Sequence, residues 1–183
     1  MLTPLQSQKI TLLFRSFDAD ANGFVEKDDY LTLTANFAAI RGWTAGSPEY
    51  GQLEGVILAS WEEMRAFADR DKDGRVDVGE WLAFHDQLLS SPFGFDVLYK
   101  RSADFLFGLL DRDGDGMVDL ADHRAFLGAF GIEVGAWADD NFAAADTNGD
   151  GRLDKAEVED VIRDFYRSDD AAAIASSWFG PIA

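Results

Sequence analysis

Asp69-Arg70-Asp71-Lys72-Asp73-Gly74-Arg75-Val76-Asp77-Val78-Gly79-Glu80 is a stretch of unusual regularity. Acids stand at its first, third, fifth, ninth and twelfth positions, a glycine at the sixth and a valine at the eighth. The pattern recurs as Asp18-Ala19-Asp20-Ala21-Asn22-Gly23, followed by Glu26 and Asp29. It recurs again as Asp111-Arg112-Asp113-Gly114-Asp115-Gly116, followed by Asp119 and Asp122. The last copy is Asp146-Thr147-Asn148-Gly149-Asp150-Gly151, followed by Asp154 and Glu157. The four starts are spaced by 51, 42 and 35 residues, and such self-similarity is read before any single element.

Helical periodicity flanks every copy. Leu5, Ile10, Leu13, Phe14 and Phe17 precede the first on one face of a 3.6-residue repeat, and Tyr30, Leu31, Phe37 and Ile40 follow it. Leu53, Ile57, Trp61, Met64 and Phe67 lead into the second, and Trp81, Leu82, Phe84, Leu88 and Leu89 leave it. Phe105 to Leu110 and Phe126 to Phe130 flank the third; Trp137 with Phe142, and Val158 with Phe165, flank the fourth. Thr3-Pro4 is a helix start, and breakers at 41–48, 90–94 and 131–135 separate the units. The pattern predicts an all-α chain: four helix-loop-helix units in two pairs, packed as one compact globule.

The spacing within each loop suits a hard cation. A 12-residue loop wraps one Ca²⁺ with oxygens from positions 1, 3, 5, 7, 9 and 12, the seventh through its backbone carbonyl, and turns sharply at a glycine in the sixth. The expected ligands are Asp18, Asp20, Asn22, Phe24, Glu26 and Asp29 in the first loop, 18–29. The second, 69–80, offers Asp69, Asp71, Asp73, Arg75, Asp77 and Glu80. The third, 111–122, offers Asp111, Asp113, Asp115, Met117, Asp119 and Asp122. The fourth, 146–157, offers Asp146, Asn148, Asp150, Arg152, Asp154 and Glu157. Position 8 reads Val25, Val76, Val118 and Leu153, apolar residues suited to pairing two loops as a short ladder. Glu at position 12 of loops two and four can bind with both oxygens. Asp at that position of loops one and three is one methylene shorter, which favours six ligands and admits Mg²⁺. Up to four Ca²⁺ are expected, with Mg²⁺ competing at loops one and three.

The charge balance agrees. Of 34 acids, 19 lie in the four loops and 18 of those stand at ligand positions, so four divalent ions would move the formal net from −18 to −10. An excess of acid disfavours nucleic acid and anionic membranes as partners. The absence of cysteine excludes disulfides and thiolate zinc sites, and with only two histidines little catalytic equipment remains, so no enzyme is expected. Neither a secretory leader nor an apolar run long enough to span a membrane is read from the sequence, and a soluble cytoplasmic monomer is the expectation.

The four units are EF-hands, spanning about 4 to 167. The arrangement resembles the calerythrin and sarcoplasmic calcium-binding protein family in chain length, loop number, the long first spacing, aromatic content and the closing Ser177-Trp178-Phe179-Gly180-Pro181. The resemblance implies two EF-hand pairs, loop one with two and three with four, in a cytosolic calcium buffer or transporter. Family members commonly carry a degenerate second loop; here it is complete, so no silent site is carried over. The expected division is an N-terminal pair over 1–90, a C-terminal pair over 91–167, and a tail, 168–183, whose Ile174, Trp178, Phe179 and Ile182 fill the cleft between lobes.

Two alternatives stand beside the buffer. A calcium sensor would expose an apolar, often Met-rich groove to a protein target, but the chain has only Met1, Met64 and Met117, and no target is indicated. A luciferin-binding-like protein would hold an organic molecule in an internal cavity. His85 and His123, each just after a loop, read as surface or half-buried helix residues rather than ligand contacts.

Overall fold

The computed structural model describes residues 1–181, apart from the side chains of Pro92, Leu98 and Ile174. Ile182 and the Ile174 side chain, both assigned to a cleft-filling tail above, lie outside the described residues. The incoming helices start where polar caps and prolines stand. Helix α1 (Pro4–Phe17) opens behind Thr3, whose Oγ1 accepts from the Gln6 amide at 3.1 Å while Gln6 Oε1 accepts from the Thr3 amide at 3.0 Å. Helices α3 (Pro48–Ala68) and α5 (Pro92–Leu110) open behind Ser47 and Ser91, with proline in the first turn, and α7 (Ala136–Ala145) opens behind Gly135.

The outgoing helices start inside the loops. These are α2 (Lys27–Ala39), α4 (Val78–Leu89), α6 (Leu120–Ala129) and α8 (Lys155–Arg167). Asp77, Asp119 and Asp154, at loop position 9, accept from the amides of Glu80, Asp122 and Glu157 at position 12, within 2.8–2.9 Å. One residue pair therefore closes a loop and caps a helix. Consecutive units pair through position 8. Strand β1 (Phe24–Val25) runs antiparallel to β2 (Val76–Asp77) with Val25 opposite Val76, and Val118 bridges Leu153 through N–O contacts of 2.9 and 2.8 Å. All four of these aliphatic residues are buried.

The two pairs share one aromatic core. Phe37 on α2 meets Phe126 of α6 and Phe130 just beyond it at centroid distances of 5.7 and 5.2 Å, and Phe17 of α1 meets Phe130 at 5.3 Å. Helix α5 lies along α8, and α1 packs on α4 and α8. Polar ties cross the same seam. Asn36 Nδ2 donates to the Ala129 carbonyl at 3.0 Å, and Arg41 Nη2 donates to the Gly108 and Leu109 carbonyls at 3.1 and 2.8 Å, satisfying the open end of α5. After α8 a 3-10 turn (Ile174–Ser177) brings Ala175, Trp178 and Phe179 into the core. Among the described residues no helix is long and apolar enough to cross a membrane.

The histidines differ from the sequence expectation. His85 is 3% exposed and His123 is fully buried. His85 stands four residues after the buried Trp81, and His123 three before the buried Phe126, so helical periodicity turns both rings inward. Burial lowers both imidazole pKa values to about 4. Unfolded histidine takes a proton near pH 6.5. The unfolded chain therefore binds protons that the folded one refuses, and stability falls as pH drops from about 6.5 toward 4, by roughly 3 kcal/mol per ring at the acid end. Urea unfolding from pH 7 to 5 should show this loss, and His85→Phe should have the shallower slope; equal slopes would contradict it.

Candidate metal centres

In each loop one set of backbone amides orients the side-chain oxygens. The position 6 glycine amide donates to the position 1 carboxylate: Gly23 to Asp18 at 3.0 Å, Gly74 to Asp69 at 3.1 Å, Gly116 to Asp111 at 3.0 Å and Gly151 to Asp146 at 2.8 Å. These glycines have φ between +83 and +90°, which disfavours any side chain there. The position 5 amide donates to position 3, and the position 7 amide donates to position 5. In the fourth loop these are Asp150 to Asn148 and Arg152 to Asp150, both at 2.9 Å.

The ligand atoms converge accordingly. Carboxylate oxygens of Asp18, Asp20 and Asp29 lie within 4.8 Å of one another, as do those of Asp69, Asp71 and Asp73, and of Asp111, Asp113 and Asp115. In the fourth loop position 3 is the amide Asn148, and the Asp146, Asp150 and Glu157 carboxylates are held by their own amide donors. Position 12 closes the turn in three loops: Asp29, Glu80 and Glu157 each accept from the position 2 amide, at 2.9, 2.8 and 2.9 Å. Asp122 is held differently, its Oδ1 facing Arg112 Nε at 3.1 Å. The two loops ending in Asp are thus not alike: Asp29 spans to the start of its loop, while Asp122 meets a guanidinium.

Electrostatics favour a cation at these points. Burial raises the Asp29 pKa, and the neighbouring Asp20 and Asp18 raise it further, against the lowering effect of its two backbone hydrogen bonds. Asp69 Oδ1 is buried and has no hydrogen-bond partner among the described residues. An unpartnered carboxylate oxygen in an all-oxygen turn fits a hard divalent ion. The position 5 carboxylates of loops two and three also carry arginine counterions: Arg152 pairs with Asp115 at 2.6 Å across the loop pair, and Arg75 pairs with Asp73 at 2.9 Å. The Arg75 amide, and after it the Arg75 guanidinium, hold Asp73 below its usual pKa, and the Arg152 guanidinium with the Met117 amide does the same for Asp115.

One requirement was missed in the sequence. Position 4 is also left-handed in every loop, as Ala21 (φ 57°), Lys72 (φ 62°), Gly114 (φ 77°) and Gly149 (φ 73°). Only the third and fourth loops supply glycine there, and their repeated Gly-Asp-Gly was the available signal. Ala21 and Lys72 carry about 1 kcal/mol of strain each.

Comparison with known proteins agrees with this geometry. A family model described as EF hand matches residues 66–85 and 139–162, within the second and fourth units. A solved structure of a calcium-binding protein from Streptomyces coelicolor, reported as a basis for prokaryotic calcium-mediated regulation, is 30% identical with a TM-score of 0.70; the match covers 88% of this chain and 97% of that one. The chain belongs to the EF-hand family. This EF-hand chain is also similar to calerythrin of Saccharopolyspora erythraea, 25% identical over 168 residues, 91% of this chain and 94% of that protein. The sarcoplasmic calcium-binding protein beta chain of Penaeus sp. is 28% identical over 177 residues, with 91% and 90% covered.

Proposed function

We propose that this EF-hand protein is a cytoplasmic, monomeric calcium buffer or transporter binding up to four Ca²⁺ at the 24 positions named above. The observation that carries this is the repeated amide scaffold, which orients oxygen ligands in all four loops. Residues 1–90 and 91–167 act as two paired lobes, and 168–183 closes them. The aromatic core supports a buffer over a sensor. Phe37, Phe126 and Phe130 are buried and mutually packed, and re-packing rigid rings into an open groove is costly. None of the relatives reported above carries an enzyme's name, and the carboxylates are accounted for by the loops.

Loops one and three take Ca²⁺ or Mg²⁺. Support comes from the shorter Asp29 and Asp122, and for the third loop from the arginines beside Asp115 and Asp122, which weaken any cation there. Calorimetric titration with Ca²⁺ tests the set, in the presence and absence of millimolar Mg²⁺. Four equivalents should bind, two of them weakened by Mg²⁺. Asp29→Glu should raise the Ca²⁺ affinity of loop one by about an order of magnitude and remove its Mg²⁺ response. Emission from the anionic dye anilinonaphthalene sulfonate, followed in the same titration, should fall as the loops fill. A rise on the last equivalents would establish the sensor instead, and fewer than four equivalents would remove a loop from the set.

A further inference from the structure

Arg152 stands at position 7 of loop four, where its backbone carbonyl is an expected ligand. Its side chain leaves that loop. It crosses the bridge between Val118 and Leu153, and Nη2 donates to Oδ2 of Asp115, position 5 of loop three, at 2.6 Å. One residue thus serves both loops of the C-terminal pair, the fourth through its main chain and the third through its guanidinium.

The N-terminal pair has the same residue in the same place and uses it differently. Arg75 is position 7 of loop two, and its guanidinium turns back on Asp73 of its own loop, with Nη2 at 2.9 Å and Nε at 3.3 Å. Its Cζ lies 4.0 Å from the Phe24 ring centroid across the strand pair. The sequence explains the contrast. Position 5 of loop one is the neutral Asn22, which offers no carboxylate across the ladder, whereas position 5 of loop three is Asp115. Arg152 has both choices, because Asp150 stands two residues before it as Asp73 stands before Arg75. Both aspartates accept from the position 7 amide at 2.9 Å, so their carboxylates are presented alike.

The surroundings bias the choice. Loop three carries five ligand carboxylates and loop four carries four, so a cation between them is drawn to the third. Among the described residues no ion pair reaches a ligand carboxylate of loop four, whereas two reach loop three, Arg152 on Asp115 and Arg112 on Asp122.

We propose that Arg152 is a counterion shared by loops three and four, which sets their order of filling, fourth before third, and couples them negatively. The inference deepens the buffer reading and rests on it. For Asp115 to serve as a ligand, Arg152 must release it. With loop four empty, the released guanidinium has Asp150 to receive it, in the arrangement that Arg75 shows on Asp73. With loop four filled, Asp150 is engaged beside a divalent charge, and the guanidinium is left to solvent. Filling loop four therefore makes loop three harder to fill, and by linkage the reverse holds. A pair coupled in this way takes up Ca²⁺ over a broad range of concentration, which suits a buffer better than a switch.

The test is a Ca²⁺ titration of the full, isotope-labelled chain without Mg²⁺, with bound metal counted by equilibrium dialysis. The Gly116 and Gly151 amides donate to the first carboxylate of their own loops, so their resonances report loops three and four separately. The Gly151 resonance should move at lower Ca²⁺ than that of Gly116. Arg152→Gln should narrow the gap between the two midpoints about fivefold, the scale of an exposed ion pair. Loss of one surface charge in general would move both midpoints alike and keep the gap. Arg75→Gln should leave the midpoint of Gly23, in loop one, where it is. Silencing loop four by Glu157→Gln should favour loop three about fivefold more in the unaltered chain than in Arg152→Gln. A gap unchanged by Arg152→Gln, with four ions bound, overturns the proposal and leaves the buffer reading standing. So does Gly116 moving before Gly151, or a Gly23 midpoint shifted by Arg75→Gln as far as Gly116 is by Arg152→Gln. A Gly116 resonance that ignores Ca²⁺ in both proteins removes loop three from the buffer and overturns the proposal with it.

Discussion

In excess chelator the protein should lose most of its cooperative unfolding transition, with a melting temperature roughly 20–40 °C below that of the calcium-saturated form. The reason lies in the loops. Three aspartates in each of loops one to three hold ligand oxygens within 4.8 Å of one another, and the amides that orient them cancel little of their charge. At free Ca²⁺ a hundredfold above Kd, each filled site adds about 2.7 kcal/mol, so four add ~11 kcal/mol, comparable to the whole stability of an ordinary domain. The outgoing helices are capped by loop position 9, so a loop that splays open also uncaps α4, α6 and α8. The far-ultraviolet dichroism of the chelated protein should therefore weaken. A spectrum and melting temperature unchanged by chelator would sink the prediction.

The fold was legible to the extent that each position had a single physical job. Gly23 and its three counterparts, the apolar residue at position 8 and the prolines at 4, 48 and 92 each admit one role, and the structure places them in it. The histidines were misread because a polar side chain on an inward helix face looks the same in sequence as one on the outward face. Rings from distant parts of the chain, Tyr166 about His85 and Trp178 about His123, complete the burial. Arg41 was unreadable for the same reason, since its acceptors on α5 lie 67 and 68 residues away. The left-handed backbone at position 4 was hidden because Ala21 and Lys72 tolerate it at a cost. Within the loops, the residue types at position 12 distinguished loops one and three from two and four. The contrast between Asp29, bound to the Ala19 amide, and Asp122, beside Arg112, depends on side-chain geometry that no spacing encodes.

Trp178→Ala should cost about 3–5 kcal/mol, whereas Trp178→Phe should cost far less. Trp178 is fully buried near the end of the chain, its ring 4.5 Å from His123, and the adjacent Phe179 sits edge-on to Phe165 at 5.2 Å. Alanine removes the whole indole and leaves a hole over His123, because α6 and α8 are tied at their starts by the bridge between Val118 and Leu153, which limits collapse into it. Phenylalanine keeps most of the volume. It also removes a buried N–H, since Trp178 Nε1 has no hydrogen-bond partner among the described residues, which offsets part of the lost packing. Among the described residues both nitrogens of His123 are unpartnered as well, so its neutral state rests on exclusion of water rather than on a hydrogen bond. In Trp178→Ala water reaches the ring, and its pKa should rise from about 4 toward the ordinary histidine value. Denaturant unfolding measures the first effect and histidine proton resonances followed against pH measure the second. A His123 titration unmoved in Trp178→Ala would show that the tail does not seal this side of the core.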